Sequence, residues 1–270
     1  MRLTKTFVIA AAALALPLFA LANPLDVTVQ FTANTGTLGG PTSGMNPNVY
    51  YYPYQMSVNG NSVTVACDDY YDEVYTSESW SAIENTLTLV NGTNVLSGGK
   101  YMPGGVGTNP AEPSNDSTYY NPKGLSSAQA TLQYEEAAWL YEQFQPVPPN
   151  PKQDSQNEAI SYAIWDLFDP SAPTEGGAAS NGANSSAYWL GALPGDSALN
   201  SMDFSNIVIY TPDTSATLTQ NDFTKYSAYP QEMIGEVPEP ASFYLLLTGL
   251  LGLGGLAWWQ LRHATGFEQA

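Results

Sequence analysis

"VYYYPYQMSVNGNSVTVAC", residues 49–67, is the stretch whose reading decides the fold. From Val49 to Val58 it is rich in tyrosine and strand-prone, and from Ser62 to Cys67 the side chains of Val63, Val65 and Cys67 share one face of an alternating run. Between the two runs stands Asn59-Gly60, a pair that accepts the positive φ angles of a two-residue hairpin turn. The stretch therefore predicts two antiparallel strands with one apolar face.

Working outward, Leu25, Val27, Val29 and Phe31 alternate with polar residues as in a half-buried strand, and a glycine-rich stretch from Gly36 to Gly44 ends that run. Further strands are predicted at Thr86–Val90, Ile207–Tyr210 and Gln231–Ile234. Two helices interrupt the strands. Ser126-Ser127-Ala128-Gln129 has the form of a capping box, and Leu132, Ala137, Leu140, Tyr141 and Phe144 keep roughly helical spacing until Pro146, which predicts a helix near 126–145. Gln156–Phe168 carries a broad apolar stripe of Ala159, Ile160, Ala163, Ile164, Leu167 and Phe168, stopped by Asp169-Pro170. Tyr101–Gly124 and Ser171–Gly195 are rich in Gly, Pro, Asn and Ser and read as long surface loops. The fold class expected for residues 23–235 is mainly β, a sandwich or barrel with a two-helix insertion.

Both ends of the chain read differently from this body. Arg2 and Lys5 precede the apolar run Phe7–Leu21, and Ala20-Leu21-Ala22 forms a small-residue cleavage site, so residues 1–22 read as a signal peptide for signal peptidase and the mature chain begins at Asn23. Near the other end, Pro238 and Pro240 enforce an extended entry to Ala241–Trp259, nineteen residues without a charge. That length approaches a bilayer's hydrocarbon core, with Trp258-Trp259 at an interface and Arg262 beyond it, so residues 241–259 are predicted to be a transmembrane helix.

Charge and chemistry exclude several classes of function. Of 270 residues, 25 are acidic and 7 basic, and between Asn23 and Gly235 the only cations are Lys100, Lys123, Lys152 and Lys225. No patch exists to neutralise a phosphate backbone, so nucleic acid is not a partner. His263 is the sole histidine and lies beyond the apolar segment, which excludes a histidine-dependent triad in the body. Cys67 is the sole cysteine, so no intramolecular disulfide forms.

Four carboxylates, Asp68, Asp69, Asp72 and Glu73, crowd into six residues and are the type of ligand calcium takes, although their spacing is not that of a calcium loop; they also read as an acidic exit from a strand. Glu135 and Glu136 are adjacent, hence about 100° apart on a helix, and share no reaction centre. Tyr50 to Tyr54, Tyr119, Tyr120 and Trp189 offer aromatic faces on which sugar rings can stack, or ordinary strand positions. Asn91-Gly92-Thr93, Asn115-Asp116-Ser117 and Asn184-Ser185-Ser186 fit the glycosylation sequon.

Two resemblances follow from these residues. Val237-Pro238-Glu239-Pro240-Ala241-Ser242, the apolar segment and Arg262 together resemble the PEP-CTERM sorting signal of Gram-negative bacteria that make exopolysaccharide, over residues 236–263. The resemblance implies an inner-membrane-tethered precursor, processing near the motif by an exosortase-like membrane enzyme, and delivery to the cell surface or extracellular matrix. Separately, Val65-Ala66-Cys67-Asp68, Ala137-Ala138-Trp139-Leu140-Tyr141 and Ser161-Tyr162-Ala163-Ile164-Trp165 resemble the layout of thioester-domain adhesins, in which a strand cysteine and a helix glutamine form an internal thioester. Here Ser161 occupies the glutamine position and has no carbonyl to give. Gln156 stands about 140° round the helix, and Asn157 faces the right way from another turn with a shorter arm. Cys67 and Ser161 then mark the positions of a bond that the chain cannot make.

The expected function is that of a non-enzymatic exported surface or matrix protein, associated with exopolysaccharide in a biofilm and needing no cofactor. Two alternatives stand beside it: a carbohydrate-binding or carbohydrate-acting protein that uses acidic residues, and a covalent thioester adhesin.

Overall fold

The computed structural model describes residues 25–34, 51, 53–69, 74–103, 125–146, 155–168, 185–213, 230–237, 249–252 and 254. Seven strands are described: β1 (Leu25–Asn34), β2 (Tyr54–Val58), β3 (Asn61–Cys67), β4 (Ser79–Val90), β5 (Thr93–Leu96), β6 (Ile207–Pro212) and β7 (Met233–Glu236). Among the described residues, four helices lie between β5 and β6: α1 (Ser127–Glu142), α2 (Ser155–Phe168), α3 (Ser186–Gly191) and α4 (Asp196–Leu199).

The strands run antiparallel in the order β1-β2-β3-β7-β6-β4-β5, and β1 also pairs with β4, which closes six of them into a barrel with β5 hung on the outside of β4. Closure is possible because β1 is long. Leu25 to Gln30 pair with β4 while Val29 to Asn34 pair with β2, and a register shift between Phe31 and Ala33 bends the strand between its two partners. Of the two architectures open to the sequence, sandwich and barrel, the chain adopts the barrel.

Alternation sorts the side chains into two cores. Val27, Val29, Phe31, Met56, Val63, Val65, Cys67, Trp80, Ala82, Val208, Tyr210 and Met233 form one cluster from alternate positions of all six barrel strands, the barrel interior. Ala66, Leu87, Ile207, Ile209 and Ile234 point the other way and meet α1, α2 and the segments around α3 and α4. β6 is therefore buried on both faces, which is why its sequence is a continuous apolar run and not an alternating one.

Both hairpin turns follow one rule. Asn59-Gly60 has φ of 47° and 86°, and Asn91-Gly92 has 53° and 80°, the left-handed pair that this turn needs. The second turn was read from sequence only as part of a sequon; it joins β4 to β5. β4 itself begins at Ser79, seven residues before the expected Thr86, because its first half closes the barrel against β1.

The helical layer exceeds the two-helix insertion expected. α1 has the predicted box: the Ser126 hydroxyl accepts from the Gln129 backbone N–H while the Gln129 side-chain Oε1 accepts from the Ser126 N–H. α2 follows its stripe and is tied to α1 by Asn157, whose amide both accepts from the Gln145 N–H at 2.9 Å and donates to the Gln145 carbonyl at 3.1 Å. The stretch from Ser171 to Gly195, expected as loop, contains α3 in its later part; Trp189 is buried there and packs against Trp139 at 6.4 Å with the rings tilted by 53°. Composition had hidden a helix only six residues long, formed through tertiary burial of one tryptophan.

Residues 1–22, Pro238–Glu239–Pro240, Arg262 and most of 241–259 lie outside the described residues. Among the described residues no helix is long and apolar enough to cross a membrane. Residues 249–252 have helical backbone, with Leu250 and Leu251 exposed.

Candidate functional site

Polar groups gather where the end of β3, the start of β7, the segment after β5 and α1 converge, in the seam between barrel and helices. β3 ends at Cys67, so Asp68 and Asp69 leave the sheet beside the helical layer, while Glu232 precedes β7 on the neighbouring strand. Both carboxylates of the acidic exit are turned inward: Asp68 is fully buried and Asp69 nearly so. Asp72 and Glu73 lie outside the described residues. Among the described residues no cluster of three His, Cys, Asp or Glu is arranged for a metal ion.

Lys100 is the cation at the centre. Its ammonium contacts the Asp69 carboxylate directly, with both side chains 3% exposed. Its backbone N–H donates to Glu232 Oε2 at 2.8 Å, and the Tyr134 hydroxyl donates to Glu232 Oε1 at 2.5 Å. Tyr134 Oη in turn accepts from the Tyr101 N–H at 3.1 Å. The chain reaches this position through Gly98-Gly99, and at Gly99 a Cβ would come within 2.6 Å of Tyr134 Oη, so only glycine lets the backbone pass. Tyr101 stacks on Phe168 of α2 at 4.6 Å and closes the apolar side of the seam.

Two carboxyl groups face each other here. Neither carboxylate oxygen of Asp68 has a hydrogen-bond partner among the described residues, and the charges of Glu232 and Asp69 act on it at close range. Burial, followed by the charges of Glu232 and Asp69, pushes the Asp68 carboxyl well above the usual range. Burial also raises Glu232, against the hydrogen bonds from Thr211, Tyr134 and Lys100 that favour its ionised form.

Cys67 sits at the edge of this cluster. Its thiol donates to the Asp69 carbonyl at 2.8 Å and accepts from the Asp69 N–H at 3.2 Å. Burial first, then the charges of Asp69 and Asp68, raise it well above a free thiol's range, so the sulfur is a protonated small hydrophobe and not a nucleophile. The helix of the thioester-like layout does meet this strand: Trp165 Nε1 donates to the Cys67 carbonyl at 2.9 Å. Ser161, one turn earlier on α2, is buried, and the Asn157 amide is engaged with Gln145.

Other expected sites are not assembled. Tyr51, Tyr54 and Trp189 are buried, so they present no sugar-stacking platform; Tyr50, Tyr52, Tyr119 and Tyr120 lie outside the described residues. Glu135 is buried and its neighbour Glu136 half-buried, and they share no centre. A facing carboxyl pair does exist, Asp68 with Glu232, but it lies in the interior and not in a cleft.

Lys100, Tyr134 and Glu232 were missed from sequence. The available signal was Lys100 itself, one of four basic residues in the body and preceded by two glycines. Comparison with known protein families, curated proteins and solved structures finds no match to this chain.

Proposed function

We propose that the chain is a non-enzymatic exported protein whose barrel domain is cargo, delivered to the cell surface or extracellular matrix by a C-terminal signal of the PEP-CTERM kind. The observation that carries this reading is where the body stops. β7 ends at Glu236, and the Val237 N–H donates to the Asn206 carbonyl at 2.8 Å just before Pro238. Cutting the chain at Pro238-Glu239-Pro240 leaves all seven described strands intact. The exposed leucines at 250 and 251 support a segment that seeks a partner other than the body.

In this reading the precursor is held at the inner membrane by residues 241–259, an exosortase-like enzyme releases it, and exopolysaccharide is the matrix around the product. The polysaccharide partner rests on the family resemblance alone. A thioester adhesin is disfavoured by Ser161 and by the protonated, hydrogen-bonded Cys67 thiol. A carboxylate-pair glycosidase is disfavoured because Asp68 and Glu232 have no exposed surface for a sugar to reach.

Replacing Pro238 and Pro240 together by alanine tests the proposal. The expected outcome, read by fractionation and immunoblotting, is a longer precursor retained with the inner membrane. Unchanged size and location would contradict it.

A further inference from the structure

We propose that Lys100 and Asp69 become joined by an intramolecular amide bond, with Asp68 and Glu232 as the proton-handling pair beside it. The case begins with solvation. A primary ammonium and a carboxylate in contact, each 3% exposed, give up nearly all of their hydration, and ions so buried are costly to keep. Condensation converts both to one neutral amide.

Position favours the reaction as well. Lys100 is fixed through its backbone N–H on Glu232, and its approach is narrowed by Gly99 against Tyr134. Asp69 is fixed through its carbonyl, which accepts from Gln231 Nε2 at 3.0 Å and from the Cys67 thiol. Holding nucleophile and acyl group together in this way replaces a bimolecular encounter with an intramolecular one.

The balance is simple. The Lys100 ammonium passes a proton to the Asp69 carboxylate, leaving an amine and a carboxylic acid. The Nζ lone pair attacks Asp69 Cγ, and a proton held on one of the buried carboxyls Asp68 and Glu232, both of which burial raises, stabilises the oxyanion that develops on the carbonyl oxygen. A proton leaves nitrogen for the carboxylate of that pair, the hydroxyl departs as water, and the pair regains its starting protonation. One C–N bond forms, one C–O bond breaks, and nothing is oxidised or reduced.

The bond would close a loop between residues 31 apart in sequence, joining the exit of β3 to the segment after β5. In an exported chain whose only cysteine is Cys67, it supplies the covalent constraint that a disulfide cannot. This inference does not depend on the sorting signal, and its failure would leave that reading untouched.

Mass spectrometry of the full-length folded protein, with proteolytic mapping, tests it. The expected result is a mass below the sequence value by one water, about 18 Da, and a branched peptide containing both residues. Lys100→Arg keeps the charge but cannot form this amide, and it should show the full mass. Asp69→Asn should condense with loss of ammonia, about 17 Da, a signature that a non-covalent pair cannot produce. Glu232→Gln should leave Lys100 and Asp69 in separate linear peptides. A wild-type protein at full mass, or one that lost water elsewhere with these two peptides unlinked, would overturn the proposal and leave a buried ion pair.

Discussion

The barrel interior and the seam beside it are equally dry, and they are held together by opposite means. Inside the barrel, Met56, Val65, Val208 and Met233 pack without direction, and Trp80 Nε1 and Tyr210 Oη have no hydrogen-bond partner among the described residues. In the seam, Lys100, Asp69, Glu232 and Tyr134 each hold a specific partner at a specific atom. Packing of the first kind adjusts to substitutions that conserve volume. A buried polar network does not, because removing one member strands the rest.

That contrast can be broken most forcefully at Lys100. Lys100→Met conserves volume yet leaves Asp69 buried without its partner, with an expected loss of about 3–5 kcal/mol in urea denaturation. A loss no larger than that of a barrel swap would erase the distinction between the regions. Met56→Ala, in the barrel, should cost about 2–5 kcal/mol by opening a cavity, whereas Met56→Leu should cost less than about 1.5 kcal/mol. Trp165→Phe keeps the packing against Tyr162 but strands the Cys67 carbonyl, for about 1–3 kcal/mol. Far from both regions, Ser126→Ala should remove the α1 cap at about 1 kcal/mol.

The seam also carries a pH signature that the barrel lacks. Asp68 and Glu232 have raised folded-state values, in surroundings that include Asp69, Lys100, Tyr101 and Tyr134. The folded protein thus keeps protons that the unfolded chain gives up once pH passes the ordinary carboxyl range near about 4. Unfolding then releases protons, so stability is greatest at the acid side of this window and falls as pH rises through the raised values. Asp68→Asn should flatten the melting temperature over that range; an unchanged slope would show that Asp68 is not the group involved.

Sequence periodicity revealed the barrel more readily than the seam. Alternation at Val27, Val29 and Phe31 and the Asn59-Gly60 turn each report a local rule, and local rules are written in adjacent residues. Asn91-Gly92 obeyed the same rule and was read for its sequon. The choice between sandwich and barrel was not legible because it depends on β1 pairing with both β2 and β4, a long-range event. The seam was illegible for a related reason: Asp68, Lys100, Tyr134 and Glu232 come from four separated segments, and no spacing within any one of them announces the others. The Cys67 carbonyl and the Trp165 indole do meet, a contact that neither the strand motif nor the helix motif announces by itself.

Between the body and the C-terminal segment the difference is one of exposure: Ile209 and Ile234 are fully buried, and Leu250 and Leu251 are 58% and 69% exposed. The proposed function turns on what happens at the junction between them. The most direct measurement is the C-terminal peptide of the mature protein recovered from outside the cell. The account predicts that this peptide ends near Glu239 and lacks Ala241–Trp259. An external protein that still carries those nineteen residues and ends at Ala270 would contradict it.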